Sequence, residues 1–382
     1  MRVVSRARWV IALLVVLSLA WFALQLATDH VPFAAVHTLK ADDEMLQHAA
    51  DAGFDAVAQV FSWREIEPRH GDWYWEYSDF LLRAADHYDL AVIARLDQQP
   101  YWATQPEIES VAPPDNLDDY ANFARAVAQR YRARIKGYII WNEPNLAREW
   151  GNRAPDPVAY TEMLCRAYCA IKSVDAQAIV VSAGLAPTND QNAQALDDRL
   201  FLGTMYRVGA RECFDALGMH VYGFGYPPDD PRGAHQSLNL SRVDDLREIM
   251  QVYGDESKPV WITELGWTTR GEGGYAWQAV SPQQQANYLV GAWKRITREW
   301  DWVHVATVWN LSRGLPPTNE MAGYSLLNED GKPKPAHNAL RAELSARWQQ
   351  QLSRLANRLT RVDPSPIPIL APDEIVHLGD ND

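Results

Sequence analysis

Eight apolar runs of β-type residues recur along this chain, with amphipathic stretches of helical period between them, and that alternation most constrains the fold. The runs are Phe33–Thr38, Ala56–Phe61, Ala91–Leu96, Tyr138–Trp141, Ala178–Ala183, Ala216–Tyr222, Pro259–Thr263 and Val303–Trp309. Continuous apolar strands are covered on both faces, as in a parallel sheet wrapped by helices. The helical stretches include Asp42–Ala52, Ser78–Tyr88, Leu117–Tyr131, Pro157–Val174, Ser241–Tyr253 and Pro282–Glu299. Asp118, Asp156 and Ser281 are expected N-caps, the last two followed by Pro at the first helical position. Eight such strands close a (β/α)8 TIM barrel of roughly 250 residues. A doubly wound sheet is the alternative. Polar and aromatic residues gather at the C-terminal ends of many strands, as on the catalytic face of a barrel, and this favours the barrel.

Two of those strand ends deliver a carboxylate. Glu143 lies in Trp141-Asn142-Glu143-Pro144-Asn145, and Glu264 in Ile262-Thr263-Glu264-Leu265-Gly266-Trp267. A pair of carboxyl groups, one protonated and one ionised, is what glycosidic bond cleavage requires. Either Glu alone is as often structural as catalytic. In the first motif, however, each position has a task. Pro144 restricts Glu143 to extended backbone and ends the strand. Asn142 can donate to and accept from a sugar hydroxyl. Trp141 can shield the acid from water. The structural alternative is a strand terminator with a capping Asn.

The balance of 47% hydrophobic and 22% charged residues is that of a globular chain with a large core. A net charge of −13 opposes binding to nucleic acid, so no nucleic-acid partner is expected. Sixteen Trp is a high count; most fit an aromatic-rich core, and a sugar-binding cleft would explain the excess, because apolar sugar faces pack on indole rings. Three Cys are too few for a disulfide scaffold, and the odd count leaves at least one thiol unpaired within the chain. Cys165, Cys169 and Cys213 are read as buried inert thiols. No Cys/His spacing resembles a zinc site, and neither a metal nor a cofactor is expected.

Residues 1–8 form a basic segment with Arg2, Arg6 and Arg8, followed by a charge-free apolar run, Trp9–Ala27. The run is long enough to cross a bilayer. It reads as an uncleaved transmembrane anchor, with a cleaved signal peptide as the alternative. In both cases the arginines stay inside and the barrel, residues 28–345, lies outside the cytoplasm. Residues 346–382 hold the end of a last helix and a Pro-rich tail from Asp363. Leu340, Leu344, Trp348, Leu352, Leu355 and Leu359 form an apolar stripe on that helix, accompanied by arginines. The stripe is expected to pack on the barrel; the alternative is a helix lying against membrane or a partner.

The two Glu motifs together resemble the paired signatures of clan A glycoside hydrolases, nearest to families 39 and 5. Phe61-Ser62-Trp63-Arg64-Glu65-Ile66-Glu67-Pro68 with Gly71-Asp72-Trp73-Tyr74, and Tyr324-Ser325-Leu326-Leu327-Asn328-Glu329-Asp330-Gly331, resemble the clan's segments after strands two and eight. The resemblance covers roughly residues 31–344. It implies a retaining glycosidase acting on an oligosaccharide, polysaccharide or glycoside, with Glu143 as general acid/base and Glu264 as nucleophile. It makes Asn142 the partner of the sugar 2-hydroxyl, Tyr222 the hydrogen-bond partner of Glu264, and Trp309 the floor of the reacting subsite. It also implies a cis Trp309–Asn310 peptide.

In one respect the sequence departs from the clan. The arginine expected near the end of strand two is missing. Gln59 is one substitute, as a neutral donor. Arg95 is the other, unless it serves a structural ion pair with Asp97 or Glu67. His220 shares a strand face with Tyr222 and is a further substrate-binding candidate. His37, at the end of strand one, is a weaker one. Trp102, Trp150 and Tyr226 are expected sugar platforms on loops at the mouth. A non-catalytic carbohydrate-binding barrel is the competing reading. Such a barrel would usually have lost Glu143, Glu264, Asn142 or Tyr222, and all four are present.

Overall fold

The computed structural model describes residues 31–360 except Glu107 and Glu109, with only the backbone for 348–360. The expected membrane segment at residues 9–27 and the Pro-rich tail lie outside the described residues. Among those described, no helix is long and apolar enough to cross a membrane.

Eight strands form one parallel sheet: β1 Phe33–Thr38, β2 Ala56–Ser62, β3 Ala91–Asp97, β4 Ile135–Ile140, β5 Val180–Ser182, β6 Leu217–Tyr222, β7 Val260–Gly266 and β8 Val303–Trp309. Their order is β5-β4-β3-β2-β1-β8-β7-β6. The seam between β5 and β6 is drawn together by the parallel bridge Val181–Ala216 and by the Gly218 amide donating to Ser182 Oγ at 3.0 Å. The result is a nearly closed (β/α)8 barrel, as the alternation of the sequence anticipates. β5 is shorter than expected. β7 runs three residues further than expected, and so carries Glu264 within the strand.

The helices begin where short polar side chains can hold free backbone N–H groups. Asp156 accepts from the amides of Val158 and Ala159, ahead of Pro157–Val174. Ser281 and Gln284 form a reciprocal capping box for Pro282–Glu299. The expected cap at Asp118 is instead Asn116, whose side chain accepts from the Asp118 amide. A helix over Asp198–Arg207, not foreseen in the sequence, lies between β5 and β6.

Two apolar layers result. The larger lies between strands and helices. The smaller fills the barrel, with Ala35, Ala58, Ile93, Ile139, Val181, Ala216, Val305 and the indole of Trp261. Gly137 makes room for that indole, since a Cβ there would lie 2.5 Å from the Trp261 ring. The side-chain period of two is visible on β3. Val92, Ala94 and Leu96 join the outer layer, while Ile93 belongs to the inner one.

The last helix, Pro335–Thr360, packs on Pro282–Glu299 and buries Leu340 and Leu344. Arg347 donates to both oxygens of Asp55, and Asp55 also accepts from the Ala34 amide. The start of the apolar stripe therefore packs on the barrel, as expected. The thiols depart from expectation. Cys165 and Cys213 form a disulfide that joins helix Pro157–Val174 to the turn before β6, and Cys169 is a free, exposed thiol. The spacing of Cys165 and Cys169 points to a shared helix. It gives no sign of the pairing with Cys213, which the fold brings close.

Candidate active site

The C-terminal ends of β3, β4, β6, β7 and β8 converge on a small set of buried polar groups. Inward positions on β3 carry Arg95 and Asp97, two and four residues beyond Ile93. His220 and Tyr222 follow Gly218 on β6 in the same way. Strict alternation would fail on β7. Trp261 faces inward, and an even count from it would send Glu264 outward. A bulge intervenes: Ile262 pairs with Met219, but the next pair is Glu264 with His220. One extra residue in the strand turns Glu264 into the barrel mouth.

Glu264 is held by three elements. Arg95 donates from Nη1 to Oε1 at 3.0 Å, and Tyr222 donates its hydroxyl to Oε2 at 2.5 Å. His220 Nδ1 lies 3.4 Å from Oε2. The same Arg95 nitrogen donates to Asn142 Oδ1 at 2.9 Å, which fixes that amide with its NH2 as the remaining donor. Arg95 Nε faces Asp97 at 3.3 Å. Of the two alternatives raised for Arg95, tuning of Glu264 and an ion pair with Asp97 therefore hold together. Glu67 instead accepts from Trp63 and the Gly71 amide. Gln59 is not the substitute donor. Its amide is engaged by Thr38, the Ala41 amide, Tyr77 and the Leu39 carbonyl.

Glu143 stands across from Glu264. Its Oε1 bonds His220 Nδ1 at 2.9 Å, and its Oε2 accepts from Arg148 Nη2 at 3.3 Å. The backbone here is not extended, as Pro144 had suggested. Glu143 has φ +37° and Trp141 has φ +74°. The Glu143 amide donates to the Gly184 carbonyl, and the Leu146 amide donates to the Glu143 carbonyl. These bonds fold the chain tightly after β4 and place Asn142 and Glu143 at the mouth together. Trp141 is fully buried with its N–H on the Glu149 carbonyl.

Burial opposes ionisation of every carboxyl here, and neighbouring charges and hydrogen bonds decide whether it prevails. Glu143 is held below its ordinary value: burial works against this, but His220 and Arg148 outweigh it. Glu264 is pushed up by burial, reinforced by the Glu143 charge and resisted by His220, Arg95 and Tyr222. Burial works against the His220 cation, but Glu264 and Glu143 outweigh it and raise the imidazole. Glu149 is pushed up to about 7, first by burial and then by the charges of Glu143 and Asp97. Tyr222 is kept firmly protonated by burial and by Glu264, and so remains a donor.

His37 is buried against Trp309, with ring centroids 4.7 Å apart. Burial, Arg95 and His220 keep its imidazole neutral. Neither of its ring nitrogens has a hydrogen-bond partner among the described residues. The Trp309–Asn310 peptide is cis. Tyr226 stacks on His235 at 3.4 Å and sits 6.0 Å from the half-exposed Trp277. Trp102 packs edge-on against Trp63 and donates its N–H to the Glu67 carbonyl. Trp150 is not a platform. It is 3% exposed and wedged in the core between Trp141 and Tyr160, because the loop after β4 folds it inward. Two residues not foreseen as part of the site, Arg148 and Tyr324, also belong to it. Tyr324 packs edge-on against Tyr222 at 5.5 Å. Their segments were visible at strand ends; their reach into the site depends on loop conformation.

Glu143, His220 and Glu264 present one ligating atom each, all within 4.8 Å of one another. That spacing would suit a cation, but His220 Nδ1 is engaged by Glu143, and the Arg95 guanidinium already compensates the charge. The geometry therefore favours carboxyl chemistry over metal binding.

No family model and no curated protein matches the sequence. Solved structures do share the fold. One is a family 39 glycoside hydrolase from the gut symbiont Bacteroides cellulosilyticus WH2, at 19% identity and a TM-score of 0.67, over 83% of this chain and 64% of that one. Another is a GH39 β-xylosidase from Caulobacter crescentus, at 19% identity and 0.60, over 82% and 71%. Xylanase 10B from Thermotoga maritima aligns at 15% identity and 0.56, over 85% and 98%. The chain thus spans less than two thirds of the Bacteroides enzyme.

Close packing behind the pair gives a direct test. A Cβ at Gly184 would lie 2.0 Å from His220 Cδ2 and 2.5 Å from Thr263 Oγ1. Gly184→Ala is expected to cost about 1–3 kcal/mol of stability and to displace the imidazole. Denaturant unfolding and histidine ring NMR measure the two effects. Unchanged stability with an unshifted His220 signal would contradict the packing.

Proposed function

We propose that this chain is a retaining O-glycoside hydrolase, with Glu264 as nucleophile and Glu143 as general acid/base. The observation that carries this reading is the approach of the two carboxyl groups, with one oxygen of each within 4.8 Å of the other. Retention requires carboxyl groups about 5–5.5 Å apart, whereas inversion leaves room for a water at roughly 6.5–9.5 Å. The fold shared with several solved glycosidases supports a carbohydrate substrate.

In this reading a Glu264 oxygen attacks the anomeric carbon while the bond to the leaving oxygen breaks. Glu143 gives its proton to that oxygen. Water then attacks the glycosyl ester and gives a proton to Glu143, and Glu264 is released. Arg95 and Tyr222 orient Glu264 and stabilise its charge. Asn142, its amide fixed by Arg95, donates to the sugar 2-hydroxyl. Trp309 supplies an apolar floor and the unpartnered His37 a polar contact beside it. The protons of Glu143, His220 and Glu264 titrate as one unit. In the free site His220 and Arg148 hold Glu143 below its ordinary value, and burial raises Glu264.

We also infer that the barrel works outside the cytoplasm, held by residues 9–27. The Cys165–Cys213 disulfide supports an oxidising compartment, and the flanking Arg2, Arg6 and Arg8 support cytoplasmic retention of the N-terminus. Sequencing the N-terminus of the membrane-bound protein is expected to return the uncleaved segment; a mature start near Thr28 would make it an export signal instead.

Two experiments test the chemistry. A mechanism-based 2-fluoro glycoside from a panel of sugars is expected to label Glu264, and labelling of any other carboxylate would remove the nucleophile assignment. Glu143→Ala is expected to slow substrates with poor leaving groups by at least about 100-fold more than activated aryl glycosides, since acid assistance is worth about 10²–10⁴. Equal losses on both would sink the acid/base role.

A further inference from the structure

Among the described residues, Arg148 is the one member of the site's charge network that lies mainly in solvent. Its side chain is 71% exposed, whereas those of Glu143, Glu264, Arg95 and His220 are 10% exposed or less. It sits on the short turn Ala147–Glu149 that follows β4. Its two contacts are long: 3.3 Å to Glu143 Oε2, and 3.7 Å from Nε to Glu149 Oε1. Glu149 is a weak anchor near neutral pH, since its carboxyl is pushed up to about 7, chiefly by burial.

The contact with Glu143 locates the guanidinium relative to a substrate. His220 occupies Oε1 of Glu143. Oε2 is therefore the oxygen left to meet the leaving-group oxygen, and Arg148 touches that one. An aglycone whose glycosidic oxygen reaches Oε2 must lie against the guanidinium fork. A planar, exposed fork with unsaturated donors matches a carboxylate in bidentate geometry.

Building on the glycosidase reading, we propose that Arg148 selects aglycones bearing a carboxylate close to the scissile bond, such as a uronic acid residue on the leaving-group side. The pairing has a second effect. A carboxylate that draws the guanidinium away from Oε2 removes a cation that favours ionised Glu143. The general acid then retains its proton as the correct substrate binds, and selection of the substrate and readiness of the acid are one event. Other charged and titratable groups also face Glu143. They are Arg95 from β3, Glu149 beside Arg148, His220 and Tyr222 from β6, Glu264 from β7 and Tyr324 after β8.

The test uses matched pairs of aryl glycosides over a panel of sugars, with a 3-carboxyphenyl or a 3-carbamoylphenyl aglycone. With the intact protein, kcat/KM is expected to favour the carboxylate by about fivefold, the scale of an exposed ion pair. Arg148→Ala should erase the preference, and Arg148→Lys, which keeps the charge and loses the fork, should retain part of it. On the carbamoyl substrate, Arg148→Ala should also move the alkaline limb of the pH profile upward, because Glu143 loses a neighbouring cation; a merely structural role would leave that limb in place. Equal rates on the pair, or a preference that survives Arg148→Ala, would overturn this inference and leave the glycosidase reading intact. No cleavage of any member would overturn both.

Discussion

The buried contact between Arg95 and Glu264 is the constraint on which the rest of the site depends. A guanidinium and carboxylates out of water cost several kcal/mol per ion unless each is paired and hydrogen-bonded. Arg95 meets that demand for Glu264, Asp97 and the amide of Asn142 simultaneously. Burial works against its own charge, and Asp97 and Glu264 outweigh the effect. Removing Arg95 would leave two buried carboxyls without their common counterion. The same side chain therefore stabilises the mouth of the barrel and fixes both Glu264 and Asn142.

Such a network needs a rigid frame, and the barrel supplies one through size. The inner layer is built mainly from Ala, Val and Ile, with Trp261 filling the space that Gly137 leaves. Small inner side chains let the eight strands approach closely, and the mouth narrows enough for groups from opposite strands to meet. Gly184, just after β5, and Gly218 on β6 repeat the device. At both, a Cβ would collide within 2.1 Å, with His220 in one case and with the Ser182 carbonyl in the other. The bulge in β7 completes it by rotating Glu264 inward while Leu265 remains in the outer layer.

Much of this was legible in the sequence because it follows local rules. Strand and helix order came from apolar periodicity, and the caps at Asp156 and Ser281 came from side-chain chemistry. Glu143 and Glu264 stand out at the ends of apolar runs, and period-two reasoning puts His220 and Tyr222 on one face. What escaped depends on tertiary approach. No local pattern marks the Cys165–Cys213 pairing, because the fold alone brings a helix beside a turn. Trp150 reads as a platform because it follows the strand that delivers Glu143, yet the loop folds its indole into the core. Gln59 looked free to donate, yet its amide is consumed in tying down the segment after β1. The backbone at Glu143 was misjudged for a related reason. Proline disfavours the right-handed helical region for its predecessor, but here hydrogen bonds to Gly184 and Leu146 hold it at positive φ.

The charges at the mouth differ in their freedom to respond. Arg95, Asp97 and His220 are set by strands and buried. Their effect on the two carboxyls is a constant of the fold. In the free site that constant, with Arg148 added, holds Glu143 below its ordinary value, while burial and the Glu143 charge raise Glu264. The balance can be reset only by a group that moves when substrate arrives, and Arg148 alone combines contact with Glu143 and wide exposure to solvent. Under the glycosidase reading proposed above, a ligand on the leaving-group side that engages Arg148 would draw this cation from Glu143 and favour its protonated form.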